Sequence, residues 1–413
     1  MPRKSSSNLQ TDAPNPKSQN NRIANEKLET RDFHDVLESV AWLWRIFGVF
    51  PIATEASIGI KKYNITKFLG VYSSLVFGIC VGNFLYVSIN YDFYFNGGPF
   101  RVTSGTAIIR SFGNILCVVA STAYRLLKYY ELSESINNIM VQGMILETTS
   151  RRSDCEFVVK IVRIYVWTTI FAVIFLILFE VYVVHRYDTI VSSTHTIWTI
   201  SLLVQVISLT VFTTLVTLLG LNFRSLNRKI RIVVKRANAS SPKVLVASND
   251  WAERIRFMSK MHFNLCAVGK RLNRIFDIEV IISVTVAFVI LSTTLYHIFY
   301  EVEKKGETNF AQILTHIYWE LYHSIPIITI VAVCNFTSLQ SVGAGELIHD
   351  IEVESTDSDL YRALKSFSLQ LHHQKLEFTA GGFFPINSEL LQTMAAKITT
   401  YLVILIQFQP KLN

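Results

Sequence analysis

The chain has 413 residues, of which 50% are hydrophobic and 17% charged, with a net charge of +8. That balance is too apolar for a soluble protein of this length. The basic excess fits Lys and Arg held in loops on the inner side of a membrane, so no nucleic-acid partner is expected.

Residues 1–30 read as a disordered cytoplasmic tail, rich in Ser, Asn and Pro, with no apolar run after the first charges and hence no expected cleavable signal peptide. From Arg31 the apolar residues Phe33, Val36, Leu37, Val40, Leu43, Trp44 and Phe47 recur at three- and four-residue spacing. That period predicts an amphipathic helix ending near Gly48 and Pro51, lying along the inner membrane surface or under the bundle, within a unit spanning 31–60.

A hydrocarbon core needs roughly 20 apolar residues per helix. Residues 61–413 supply seven candidates, at 68–89, 103–124, 161–184, 197–221, 280–300, 313–336 and 390–408. The second contains Arg110 and Asn114, which are costly in lipid and must face protein or water. Lys and Arg number 30 in the connections 1–67, 125–157, 222–278 and 337–385, against 5 in the alternate set. The expected fold is therefore an all-α polytopic membrane protein with seven transmembrane helices, a cytoplasmic N-terminus and an extracellular C-terminus. The five cysteines then avoid every outer loop, which argues for free thiols. Segment 235–250 reads as a linker, and after it Ile255, Met258, Met261, Leu265, Val268, Leu272 and Ile275 form a stripe that wants a helical partner, in this chain or a neighbouring subunit.

Spacings for phosphate, metal or acyl chemistry are weak. Gly343-Ala344-Gly345 is half a dinucleotide fingerprint placed after a membrane span and reads as a flexible joint. His372-His373 lacks a third ligand at metal spacing. No enzyme activity, metal or cofactor is expected.

The most specific string closes the chain: Thr400-Tyr401-Leu402-Val403-Ile404-Leu405-Ile406-Gln407-Phe408. It resembles the Thr-Tyr, five hydrophobics, Gln-Phe signature of insect gustatory receptors. Phe223-Arg224-Ser225-Leu226-Asn227 is similar to that family's Arg-Phe-x-x-Leu-Asn element, departing at Asn222, where a basic residue is usual. Phe47-Gly48-Val49-Phe50-Pro51 is similar to its turn before the first span.

The resemblance implies a homotetrameric, ligand-gated, non-selective cation channel in the plasma membrane of a sensory dendrite. In that picture segments 222–280 and 337–385 form cytoplasmic anchor helices, and a pore helix covers 388–408. Other gustatory receptor subunits could join it. Thr400, Ile404 and Phe408 share one helical face and Val403 and Gln407 the adjoining one, so a ring of Phe408 backed by Ile404 would close a narrow pore and rotation would present Gln407 amides to cations. Packing alone is the competing reading of these residues.

A small-molecule tastant should bind where aromatic and polar side chains sit within the membrane: Arg110, Asn114, Trp198, Trp319, Glu320, Tyr322 and His323. Trp319 and His323 look like a Trp-x-x-x-His arrangement of fructose-type members. Pairing of Arg110 with Glu180 or Glu320, and interfacial anchoring of the aromatics, are the structural alternatives. Leu402, where sweet-type members carry an acid, and Phe378-Thr379-Ala380-Gly381-Gly382-Phe383-Phe384 favour a bitter-type or orphan branch. A metabotropic seven-helix receptor, whose termini lie the other way round, and a secondary transporter, which should have paired broken helices, are the rival classes.

Overall fold

The computed structural model describes residues 31–57, 60–89, 102–147, 189–239, 248–303, 310–351 and 358–407, with ten helical positions between 160 and 178. In chain order the elements are α1 (Arg31–Ile46), β1 (Ile52–Ser57), β2 (Ile60–Ile65), α2 (Lys67–Ile89), α3 (Val102–Leu127), α4 (Tyr129–Glu147), α5 (Thr189–Ala239), α6 (Ser248–Glu303), α7 (Phe310–His349), α8 (Ser358–His373), β3 (Thr379–Ala380), β4 (Phe384–Pro385) and α9 (Ser388–Gln407). Helices at Leu203–Arg236, Trp251–Tyr300, His316–His349 and Ser388–Gln407 are long and apolar enough to cross a membrane, while the apolar runs Lys67–Gly82 and Ile115–Leu127 are shorter. Six of the seven expected spans thus coincide with helices. The third, at 161–184, falls mostly outside the described residues.

The apolar stripe of α1 is buried: Leu37, Val40, Ala41 and Trp44 are all 1% exposed or less. Trp44 also donates its indole N–H to Thr210 Oγ1 at 2.8 Å, which seats α1 against the bundle in preference to a free membrane surface. Gly48, at φ 64°, ends the helix. Its N–H reaches the Arg45 carbonyl at 3.1 Å and that of Val49 the Trp44 carbonyl at 3.0 Å, a Schellman closure that needs a left-handed residue at this point. The helix therefore stops at Ile46, just before the expected end near Gly48 and Pro51, and the chain turns into the antiparallel hairpin β1–β2. Pro51 lies between them, and the β-branched Ile52 and Thr54 suit the strand that follows.

α4 holds that hairpin in place. Asn137 Oδ1 accepts the Tyr63 N–H and its Nδ2 donates to the Tyr63 carbonyl, both at 2.9 Å, while Ser133 Oγ donates to the same carbonyl at 2.6 Å. The backbone groups of an edge strand are thereby covered.

α5 and α6 run for 51 and 56 residues, roughly 75–85 Å at 1.5 Å per residue against a hydrocarbon core of about 30 Å. Each therefore continues far beyond a bilayer as one rod. The stripe from Ile255 to Ile275 on α6 is buried throughout, and it finds its partner within this chain. Leu360, Leu364 and Phe367 of α8 belong to the same core, and Gln370 exchanges hydrogen bonds with Ser259 at 2.6 and 2.9 Å. The expected joint at Gly343–Gly345 is a continuous part of α7, and Ala344 is fully buried there.

His262, before the expected fifth span, sits edge-on to Phe223 and Phe367 and donates Nε2–H to the Ser341 carbonyl at 2.9 Å. Burial lowers its pKa below the ordinary histidine value of 6.5. The folded chain then binds fewer protons here than the unfolded one, so stability is full above pH about 6.5 and falls as pH drops through the window beneath it. His262→Gln keeps a donor and cannot protonate. It is expected to reduce the loss of melting temperature between pH 7 and pH 5, and an unchanged pH slope would refute the assignment.

Candidate functional site

α9 starts where Asn387 Oδ1 accepts the Leu390 N–H at 3.2 Å, an N-cap followed by Glu389 in the first turn. Met394 and Ile398 are its buried residues, Leu391 and Leu405 are half-buried, and Tyr401 meets Phe288 of α6 edge-on at 5.8 Å. These positions share one side of the helix. Gln392, Ala396, Thr400, Val403 and Gln407, at steps of four, four, three and four, share the opposite side, and all are exposed. Ile404, 40% exposed, lies between the two sides, and Phe408 is outside the described residues. Of the most apolar eighteen residues in α9 only 11% are buried, against 94% in α5. The terminal helix is thus apolar, nearly uncovered by the described residues, and turns the amides of Gln392 and Gln407 away from them.

A second cluster lies on α7. Trp319 stacks on His323 at 6.0 Å and meets Tyr322 edge-on at 5.7 Å, and Tyr322 meets His323 at 5.1 Å. Trp319 and His323 are buried, as expected for two positions four apart on a bundle-facing side. The structure adds members from other helices: Tyr318 donates to the Ala172 carbonyl at 3.1 Å and packs near Phe175 at 6.1 Å, and His316 stacks on His297 of α6 at 5.4 Å. Glu320 Oε2 is buried without a hydrogen-bond partner among the described residues. Pro326 lies inside α7 and removes the N–H that would bond the Tyr322 carbonyl, leaving one more polar group at the cluster. Arg110, Asn114 and Trp198 lie on α3 and α5, with side chains outside the described residues.

Sequence reasoning missed a polar network deeper in the bundle. Arg125 of α3 and Glu279 of α6, 4% and 2% exposed, pair at 3.9 Å from Nε to Oε2. Ser208 of α5 donates to Glu279 Oε1, and Arg125 Nη1 donates to the Val49 carbonyl at 3.4 Å. Both residues flank expected spans, and Arg125 falls in a connection whose Lys and Arg read as loop charges. The signal available was an acid directly abutting an apolar run.

A polytopic helical membrane protein, with an aromatic and ionisable cluster on one inner helix and a terminal helix left open to partners, is the class that fold and site define. Its fold is that of the insect olfactory receptor OR5 from Machilis hrabei, with a TM-score of 0.67 at 14% identity over 92% of this chain and 100% of that one. The family described as 7tm Chemosensory receptor matches residues 37–412. The chain belongs to that family.

Among its relatives in Drosophila melanogaster, the gustatory receptor for bitter taste 66a is 26% identical over 38% of this chain and 30% of that protein. The gustatory receptor for sugar taste 43a is 27% identical over 38% of this chain and 36% of that protein. The matches take in about a third of each relative's length, and the near-equal identities do not separate a bitter-type from a sugar-type branch. The departure at Asn222 has a local reason: its side chain is fully buried and donates to the Ile139 carbonyl of α4 at 2.9 Å, where a basic residue would lose hydration without a counter-ion.

Proposed function

We propose that the chain is a gustatory receptor subunit that assembles as a homotetramer, alone or with related subunits, into a ligand-gated, non-selective cation channel of the plasma membrane in sensory dendrites. The observation that carries this reading is the direction of the polar side of α9. Gln392 and Gln407 point away from the protein surface that the described residues offer them, and amides facing acyl chains are expensive. Four copies with these sides turned inward enclose an aqueous lumen ringed by Thr400, Val403 and Gln407. The Gln407 amides then meet hydrated cations, while Ile404 and Phe408, on the neighbouring face, close the lumen by dewetting when the helices rotate.

The excess of Lys and Arg in one set of connections supports a cytoplasmic N-terminus and an extracellular C-terminus. The α7 cluster of Trp319, Glu320, Tyr322 and His323 then falls in the outer half of the bundle, where it forms a tastant pocket with Arg110, Asn114 and Trp198. Aromatic walls suit sugars, alkaloids and other planar amphiphiles alike.

The receptor expressed alone under voltage clamp is expected to pass cation current in response to an agonist drawn from a tastant panel. Gln407→Ala should change unitary conductance. A hydrophilic thiol reagent should block Val403→Cys and leave Leu405→Cys untouched. Agonist binding in lipid vesicles without ion flux would refute the channel, and an N-terminal tag reached without permeabilisation would refute the orientation.

A further inference from the structure

We propose that Asn273 and Asp277 are positioning residues for gating, a clasp by which α6 sets the resting place of α9; this rests on the channel reading above. The two lie four apart and so face one way from α6. Asn273 Oδ1 accepts the Thr379 N–H at 3.0 Å and its Nδ2 donates to Thr379 Oγ1 at 3.3 Å, while Asp277 Oδ1 accepts the Gly381 N–H at 2.5 Å.

What they grip is the β3–β4 hairpin, with two residues in each strand. Its own backbone closures are Phe383 N–H to the Ala380 carbonyl at 3.0 Å and Ile386 N–H to the Phe378 carbonyl at 2.8 Å. A two-stranded hairpin this short does not hold its shape in isolation, so α6 supplies its geometry. Gly381 and Gly382 take φ of 61° and 70°. A Cβ on Gly381 would also lie 2.5 Å from Ile281 Cδ1 of α6, so the hairpin tip is pressed onto that helix.

Between the clasped Gly381 and the N-cap Asn387 stand five residues, among them buried Ile386. So short a link carries displacement of α6 directly to the start of α9. The same α6 is continuous from Asn273 to His297, whose ring stacks on His316 of α7, one turn before Glu320 in the aromatic cluster. One rigid helix therefore touches the proposed tastant end and grips the base of the proposed pore helix. Arg125–Glu279, two residues beyond Asp277, fixes its rotation between those points.

Asn273→Ala, Asp277→Ala and Asp277→Asn in the full-length receptor test the clasp, with two readouts at matched surface expression. Hydrogen exchange of the 378–386 peptide in purified receptor should quicken in both alanine variants. The agonist concentration–response, or the current without agonist, should shift by about 2- to 30-fold. Asp277→Asn, which keeps an acceptor for the Gly381 N–H, should restore both most of the way.

Unchanged exchange in the alanine variants overturns the clasp. Quicker exchange with wild-type currents reduces it to a structural tie and overturns the gating role. Wild-type receptor that binds agonist and passes no current overturns the channel reading itself, an outcome that the exchange readout separates from failure of the clasp.

Discussion

Glu279→Leu alone is expected to cost the receptor about 3–5 kcal/mol of stability, because it leaves the Arg125 guanidinium buried with no counter-ion. The pair is 4% and 2% exposed, so neither charge recovers hydration when the other is removed. The pair is also incompletely satisfied as it stands: Arg125 Nη2, Glu279 Oε2 and Thr122 Oγ1 are buried and carry no hydrogen bond to protein. The 3.9 Å separation exceeds hydrogen-bond length, so these two atoms attract by charge without a hydrogen bond between them.

That arrangement implies a second outcome. Replacing both partners with apolar residues, Arg125→Met with Glu279→Leu, removes both desolvation costs and should recover most of what either single change loses. Thermal unfolding of purified receptor in detergent measures all three variants. A double variant as unstable as the sum of the singles would show that the pair contributes independently of its charges.

The positions of the apolar helices were legible because length and hydropathy are properties of single segments. The expected 68–89 and 390–408 lie within a residue of α2 and α9 at nearly every boundary, and Trp319 with His323 follows from a spacing of four. What was not legible depends on other segments. Tyr318, His316 and His297 become a cluster only once α6, α7 and residues 172–175 are brought together. Hydropathy marks where α5 and α6 are apolar and is silent on their continuation as rods outside the membrane, where the stripe from Ile255 to Ile275 had two candidate partners and chose α8 of its own chain. The two hairpins escaped for the same reason. β1–β2 is held by Ser133 and Asn137, and β3–β4 by Asn273 and Asp277, so the pattern of either hairpin alone underdetermines it.

Gly220→Leu is expected to force α5 and α7 apart and to lower stability by about 1–3 kcal/mol or more through overpacking. Even a Cβ at Gly220 would lie 2.6 Å from Thr337 Oγ1 and 2.8 Å from Phe336 Cε1. Neither neighbour yields cheaply: Thr337 is β-branched and its hydroxyl donates to the Val216 carbonyl at 3.0 Å, and Phe336 presents a rigid ring. Gly→Ala in a helix interior normally gains about 1 kcal/mol of propensity, so Gly220→Ala sets that gain against the clash, and the clash should win. Gly345 of α7 provides the comparison, since a Cβ there meets nothing within 4 Å, and Gly345→Ala should raise the melting temperature. Opposite signs for one chemical change, in two helices of the same protein, would tie the cost at Gly220 to the closeness of α5 and α7. Equal signs would mean that backbone propensity alone governs both sites and that these helices are free to separate.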